Sequence, residues 1–335
     1  MNTKKALLIT VGLMLVGSSA WSQTPEPAAA PASGARQPQT NWWSQAGGEN
    51  GPRRTVWAAH KVVETPYTAP NKPIIHIADI LAAHRVQARW DQPVVLTRDF
   101  DGHYIQMAPG DKTKCMFYAD DRVFGWVYSG TLKITIDGQE PVVGKAGQLF
   151  DVAPRLSFCL ENVGTDPVVF WRVTPAGQVP SYPDTETPNP LPGYVYEKAA
   201  ITSTGGYDAT NIPFVDYSGD LAAQSRSPFI ADGHTSAHII RAQGITAMPP
   251  DTDWGHFHEN MVEYWTVIEG KLAVRISGVG IVHGELGDVI QANEGRWHRA
   301  GCEPNTGPCT RLAQTPRLKE GQVHYFQVDA VGSGN

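Results

Sequence analysis

The chain has 335 residues, a length that favours two domains, and a formal charge of −6 from 27 basic and 33 acidic residues. This balance provides no basic face, so we expect no nucleic-acid partner. Hydrophobic residues make up 41% of the chain, and 33 glycines with 26 prolines favour a β-rich protein with many turns.

The first twenty residues have the layout of a secretory signal peptide. Lys4 and Lys5 precede an apolar run from Ala6 to Gly17, and the small residues that follow offer a cleavage site near Ala20. A membrane anchor is the alternative, but the run is short for a span of about 20 residues. We therefore expect residues 1–20 to be removed, no membrane association afterwards, and a periplasmic or secreted protein.

Two proline-rich stretches divide the rest of the chain. Residues 21–54 begin with a tract of Pro, Ala, Ser and Gln that is typical of a flexible segment. A second stretch, from Pro180 to Pro192, contains five prolines and opens a linker and crossing segment over residues 180–225. We expect one domain before it, over residues 55–179, and another after it, over residues 226–335.

An internal repeat with an offset of 140 residues relates the two halves. The segment from Gly130 to Gly138 aligns with the segment from Gly270 to Gly278, and in both the apolar residues alternate between the glycines. Alternation with a period of two is typical of half-buried strands bounded by turns. Two copies of such a unit predict two β-sandwiches or small β-barrels.

Four side chains of the second copy have the chemistry and spacing of metal ligands. His256 and His258 are two residues apart, so on a strand both side chains leave by the same face. Glu263 would lie on the returning strand, and His298 follows a tight turn that Gly295 permits. Three imidazoles and one carboxylate suit a single divalent transition metal, with one or two coordination positions left open.

These stretches resemble the two sequence motifs of the cupin superfamily. From His256 to Gly270 the HXH, the four-residue gap to the glutamate and the six-residue gap to the glycine match motif 1. From Gly287 to His298 the glycines and the histidine match motif 2, with Asn293 in place of the motif's proline. The resemblance spans both halves and implies an all-β fold of two tandem cupin domains, each a double-stranded β-helix or jelly-roll.

The first copy lacks the ligands that the second copy carries. Subtracting the offset of 140 places Met116, Tyr118, Val123 and Phe158 at the four ligand positions. We therefore expect an N-terminal cupin without metal, whose apolar pocket serves packing or dimerisation; a metal-free binding pocket is the alternative. A homodimer is possible in either case.

The four cysteines allow three disulfide pairings. In a cupin the strands that carry Cys115 and Cys159 are neighbours, so the resemblance implies a cross-strand disulfide between them. Cys302 and Cys309 flank a turn-like loop that a second disulfide would close. Four free, buried thiols are the alternative, and a secretory context favours the two disulfides.

Three further residues near the motifs are candidate functional residues. Alternation places Trp265 on the same face as Glu263, so it is a candidate substrate contact, with core packing as the alternative. Asn293, in the turn before His298, is a second candidate substrate contact. Glu294, in the same turn, is a candidate catalytic proton donor or acceptor, with a merely solvated acid as the alternative.

Three functions remain open from the sequence alone. The resemblance to bicupin dioxygenases and oxalate decarboxylases implies a metal-dependent enzyme, and we expect a dioxygenase-like oxidoreductase that acts on a small organic substrate. A non-redox lyase, decarboxylase or isomerase would use the metal as a Lewis acid. A protein that only binds a metal or small ligand is the third. The expected cofactor is one divalent transition metal per chain, Mn or Fe before Cu, Zn or Ni.

Overall fold

The computed structural model describes residues 55–217, 226–316 and 324–328. The predicted signal peptide and the flexible segment over residues 21–54 lie outside the described residues. Among the residues that are described, no helix has the length and apolar character needed to cross a membrane.

Nearly all regular structure in the described residues is β-strand. The helix α1 spans Ile77–Ala83. The first nine strands are β1 (Ile74–Ile75), β2 (Trp90–Leu96), β3 (Phe100–Met107), β4 (Val123–Ser129), β5 (Leu132–Ile136), β6 (Val142–Gly144), β7 (Gln148–Val152), β8 (Phe158–Asn162) and β9 (Val168–Pro175). The remaining strands are β10 (Phe214–Asp216), β11 (Arg226–Ala231), β12 (Thr235–Ala242), β13 (His256–Phe257), β14 (Glu263–Glu269), β15 (Leu272–Ile276), β16 (Gly280–Gly284), β17 (Val289–Ala292), β18 (His298–Cys302), β19 (Cys309–Pro316) and β20 (Tyr325–Phe326).

The N-terminal barrel consists of two sheets. One has the strand order β10-β7-β4-β9-β3-β2, and the other has the order β6-β5-β8. In β5, Leu132, Ile134 and Ile136 are buried, while the two residues between them are partly exposed. The predicted alternation is therefore present, because one face of the strand packs into the barrel and the other faces outward.

The C-terminal barrel repeats this architecture with more strands. Its sheets have the orders β1-β17-β14-β19-β12-β11 and β16-β15-β18-β13-β20. All five residues of β15 are buried, in contrast to β5. The outward-facing Arg275 is covered because its guanidinium donates to the carbonyl oxygens of Pro250 and Asp253, each at 2.7 Å, and to the carboxylate of Asp251 at 2.9 Å.

The strand register of the two barrels is the same. Met116 pairs with Phe158 in the first barrel, and His256 pairs with His298 at the equivalent positions of the second. The next strands agree as well, since Ile136 lies opposite Phe158 and Ile276 lies opposite His298. The 140-residue repeat is thus a repeat of structure, and the all-β architecture of two tandem barrels is confirmed.

Each barrel also receives a strand from outside its own half. β1 precedes the N-terminal barrel in the chain but pairs with β17, and β10, from the predicted crossing segment, pairs with β7. Between the barrels, the Tyr104 hydroxyl donates to the Gly287 carbonyl at 2.5 Å, and the Trp171 indole donates to Gln314 at 3.3 Å. The described residues from Trp57 onward form one compact unit.

All four cysteines are in disulfides. Cys115 is bonded to Cys159, with the Cα atoms 4.4 Å apart, and Cys302 is bonded to Cys309, with the Cα atoms 5.3 Å apart. These are the two pairs that the sequence favours. Because disulfides persist in oxidising compartments, both bonds fit a protein that works outside the cytoplasm.

Candidate metal centre

A glycine brings the first histidine strand close to the second. Gly255, just before β13, has a φ of +72°, and a Cβ atom at this position would lie 2.3 Å from the His298 carbonyl oxygen. Glycine has no such atom and adopts positive φ without strain. The backbone of β13 can therefore lie against β18, which places His256 beside His298.

The donor atoms of the four predicted ligands lie together inside the C-terminal barrel. The Nε2 atoms of His258 and His298 are 2.9 and 3.1 Å from Oε2 of Glu263. The Nε2 atom of His256 is 3.0 Å from that of His298 and 3.6 Å from Oε2 of Glu263. Donors bound at about 2.1 Å to one ion would be roughly 3.0–3.4 Å apart. The spacing and chemistry of these donors therefore fit a single divalent transition metal.

Neighbouring groups orient the ligands. Nδ1 of His298 donates to the backbone carbonyl of Arg296 at 2.8 Å, which leaves the lone pair on Nε2 facing the cluster. The indole of Trp265 donates to Oε1 of Glu263 at 2.9 Å, so Oε2 is the oxygen that faces the histidines. Trp265 is a predicted substrate contact, and the structure shows it almost fully buried, with its N–H holding Glu263.

The protonation states of the cluster suit metal binding. Burial lowers the pKa of His256 to about 3, and the neighbouring His298 adds to this effect. Burial alone would raise the pKa of Glu263, but the three histidines around its carboxylate outweigh burial and hold that pKa well below its usual value. At neutral pH the site thus offers a neutral imidazole at His256 and an anionic carboxylate, the forms in which these side chains bind metals.

The structure adds a fifth residue that sequence reasoning missed. The side chain of His324 lies with its ring centroid 4.3 Å from that of His258 and 4.8 Å from that of His256. Donor atoms of His256, His258, Glu263 and His324 all lie within 4.8 Å of one another. His324 lies outside both cupin motifs. The only sequence signal was a histidine in a short stretch with strand-like alternation near the end of the second copy.

A further histidine of this barrel lies on β12. His238 is opposite Ala313 of β19, which in turn is opposite Trp265 of β14, so the three residues are in register across the sheet. Nε2 of His238 is 2.8 Å from the Ser236 hydroxyl. Burial lowers the pKa of His238 to about 4, against the opposing effect of Glu263. His238 is therefore a second functional candidate without a motif.

The two turn residues predicted to serve the site make other contacts. The Asn293 amide donates to the Pro66 carbonyl at 2.9 Å and accepts from Gln291 at 2.7 Å. The Glu294 carboxylate forms an ion pair with Lys61 at 3.1 Å. These contacts tie the segment before β1 to the C-terminal barrel. Neither side chain belongs to the donor cluster, and their proposed roles in substrate binding and proton transfer remain predictions.

The equivalent positions of the N-terminal barrel carry no comparable group. Tyr118, Val123 and Phe158 are buried in one hydrophobic cluster, and Met116 packs against it. Within the described ranges, the group of side chains able to hold a metal lies in the C-terminal barrel.

Solved structures with a similar fold include an oxygenase. A variant of salicylate 1,2-dioxygenase from Pseudoaminobacter salicylatoxidans in complex with gentisate superposes with a TM-score of 0.56 at 12% sequence identity, covering 76% of this chain and 85% of that chain. Another structure of that dioxygenase gives a TM-score of 0.53 at 11% identity, covering 82% and 93%. The chain has the tandem cupin fold. No family model matches the chain, and no curated protein matches it.

Proposed function

We propose that this protein is a metal-dependent, dioxygenase-like oxidoreductase that acts on a small organic substrate in the C-terminal barrel. The observation that carries the proposal is the donor cluster, in which His258 and His298 lie 2.9 and 3.1 Å from the same oxygen of Glu263. The fold shared with salicylate 1,2-dioxygenase supports it and suggests hydroxylated aromatic acids as the first substrates to screen. We place this activity in the periplasm or outside the cell.

In this proposal, different residues of the C-terminal barrel bind the ion and orient its ligands. His256, His258, His298 and Glu263 hold one divalent ion, with Mn or Fe favoured, and the bound ion supplies Lewis acidity and redox chemistry. The Trp265 indole fixes the orientation of Glu263 through Oε1.

The position of His238 in the C-terminal barrel supports a second candidate function. The partly buried imidazole of His238 has a pKa of about 4 and is neutral at physiological pH, and the register that it shares with Trp265 places it where it could accept a proton inside the barrel, as a weak base. A Lewis-acid ion paired with such a base would serve a lyase, decarboxylase or isomerase without dioxygen. Both candidates use the same ion, so oxygen dependence is the measurement that separates them.

The test uses the full chain, secreted into the periplasm and purified without added metal or chelator. Metal content is measured first, followed by oxygen consumption with salicylate, gentisate and related hydroxylated acids. The double variant His256→Ala/His298→Ala is compared with His283→Ala, an exposed histidine of the same barrel that pairs with Glu303.

Three outcomes separate the candidates. About one Mn or Fe per chain, together with oxygen consumption, both lost in the double variant and kept in the control, would support the oxidoreductase. Turnover of an acid without oxygen consumption would transfer the assignment to the second candidate. If the wild-type chain bound no metal even on titration, both proposals would fail.

A further inference from the structure

The segment that carries His324 is placed by backbone pairing. β20 runs antiparallel to β13, with Phe257 opposite Tyr325 and His256 opposite Phe326. One further step in this register brings residue 324 opposite His258, which agrees with the 4.3 Å between the ring centroids of those two histidines. Because side chains alternate along a strand, residues 324 and 326 face the donor cluster while 325 and 327 face away.

Contacts on both faces of the segment confirm this alternation. On the inner face, the Phe326 ring lies 5.3 Å from that of His256. On the outer face, Tyr325 stacks on Phe257 at 5.1 Å. We call residues 324–328 the strap.

Gln327 anchors the strap through three hydrogen bonds. Its backbone N–H donates to the Gly255 carbonyl at 3.0 Å. Its side-chain oxygen accepts from the Trp254 backbone N–H at 2.7 Å, and its side-chain amide donates to the Thr252 carbonyl at 2.6 Å. All three partners lie in the residues just before His256. The strap is therefore fixed to the same loop that positions the first ligand.

The N-terminal barrel contains the same crossing without the histidine. Phe117 pairs with Ser181 through two backbone hydrogen bonds of 2.9 and 2.8 Å, as Phe257 pairs with Tyr325 in the second barrel. The register that places His324 opposite His258 places Pro180 opposite Tyr118. Both barrels therefore have the crossing segment. In the described residues, the segment of the C-terminal barrel carries a histidine next to the other ligands, and the segment of the N-terminal barrel has Pro180 at the equivalent position.

The distances allow His324 to bind the same ion as the other donors. Two donors that each bind one ion at about 2.1 Å would lie at most about 4.2 Å apart. The donor atoms of His256, His258, Glu263 and His324 lie within 4.8 Å of one another, so a small side-chain adjustment would bring His324 to an ion held by the other three of these residues.

We propose that His324 is a fifth protein ligand of the metal ion, held by the strap at a coordination position that the three other histidines and Glu263 leave open. The inference rests on the metal site of the proposed function and deepens it. An ion bound by all five residues would have one position fewer open to substrate or solvent than an ion bound by four.

The test uses Cu(II) and Co(II) as probe metals bound to the full mature chain. In His324→Ala we expect metal affinity to fall by roughly tenfold or more, a loss of the size seen when groups around a metal are removed. The Cu(II) paramagnetic resonance spectrum should lose the signature of one nitrogen ligand, and added imidazole should restore it. Azide should bind the variant more tightly than the wild type, because a coordination position has opened.

Further variants distinguish ligation from packing. Gln327→Ala keeps the histidine but removes two of the strap's anchoring hydrogen bonds, and we expect a smaller shift in the same direction. His324→Phe keeps an aromatic ring without a donor and should behave as His324→Ala does. His283→Ala should leave affinity and spectrum unchanged.

The possible failures are distinct. If the wild type binds the probe metals and His324→Ala and His324→Phe retain its affinity, spectrum and azide response, His324 is not a ligand and the four-residue site still stands. If the wild type binds neither probe metal, the site of the proposed function fails as well.

Discussion

The two barrels bring equivalent backbone positions together and fill them with opposite chemistry. In the N-terminal barrel the pair is Met116 and Phe158, within a hydrophobic cluster, and in the C-terminal barrel the pair is His256 and His298. The register is the same in both. The cupin backbone therefore provides a place where ligands can converge, and the side chains alone decide whether a metal centre exists there.

The two barrels also hold the strands that carry these residue pairs together by different means. In the first barrel Cys115 precedes Met116, and its disulfide to Cys159 joins the neighbouring strands covalently. In the second barrel the position equivalent to Cys115 is Gly255, where the absence of a Cβ lets the strands approach. At this position a disulfide joins the neighbouring strands of the N-terminal barrel, and close backbone packing joins those of the C-terminal barrel.

The largest expected effect comes from replacing the histidine pair with its apolar counterpart. The variant His256→Met/His298→Phe gives the second barrel the residues of the first. We expect metal content to fall from about one ion per chain to nearly none, since two of the donors are gone. Elemental analysis measures the loss, and circular dichroism should show that the β-sheet content is kept. A variant that still bound one ion per chain would contradict the comparison.

The next prediction compares the two disulfides. They close loops with sequence separations of 44 and 7 residues. In the chain-entropy view, loss of the longer loop costs about 4 kcal/mol and loss of the shorter about 2 kcal/mol. Cys115→Ala/Cys159→Ala should therefore lower the free energy of urea unfolding more than Cys302→Ala/Cys309→Ala. Equal or reversed losses would show that loop length does not govern the difference.

The comparison also shows what the sequence could and could not predict. The repeat and the alternation of Leu132, Ile134 and Ile136 indicated two β-barrels, because period-two burial is a local property of strands. The spacing of His256 and His258 was equally informative, since His256 lies on β13, His258 directly follows that strand, and both precede the glutamate by a short turn.

Other features depend on contacts between segments that are distant in the chain. The insertion of β1 beside β17 and the return of His324 to His258 are set by tertiary pairing, for which the local pattern gives no partner. Asn293 has a tertiary contact of the same kind. Its amide donates to the carbonyl of Pro66, from a segment that sequence alone did not place there, and its role as a substrate contact remains a prediction.

A third prediction concerns the pH dependence of stability. The pKa of His238 is about 4 in the folded protein because of burial, against 6.5 for an unperturbed histidine. The unfolded chain therefore takes up a proton first as the pH falls, so the stability from this residue is fully present above pH 6.5 and is lost progressively down to about pH 4. One pKa unit corresponds to 1.36 kcal/mol, which sets an upper limit of about 3 kcal/mol.

His238→Gln should flatten this decline. Urea unfolding of the metal-free chain at several pH values between 4 and 7 measures it, with His283→Gln as the control on the exposed surface of the same barrel. A wild type and a His238→Gln variant that lose stability in parallel over this range would show that the buried imidazole does not contribute.

The smallest expected effect tests how the barrels are joined. The carbonyl of Gly147 accepts from the backbone N–H of Tyr217 at 3.1 Å, whereas the equivalent carbonyl of Gly287 accepts from the Tyr104 hydroxyl at 2.5 Å. Tyr104→Phe removes only the second bond. Because this would leave a buried carbonyl without that donor, we expect the free energy of unfolding to fall by about 1–2 kcal/mol.

Tyr264 supplies the matched control for this variant. It is as deeply buried as Tyr104, yet within the described part of the chain its hydroxyl has no hydrogen-bond partner. Tyr264→Phe removes an unsatisfied polar group and should leave stability unchanged or raise it. Urea unfolding of the two variants side by side separates the loss of the hydroxyl from the loss of its bond. If both variants were destabilised equally, the Tyr104–Gly287 bond would not be what joins the barrels at this point.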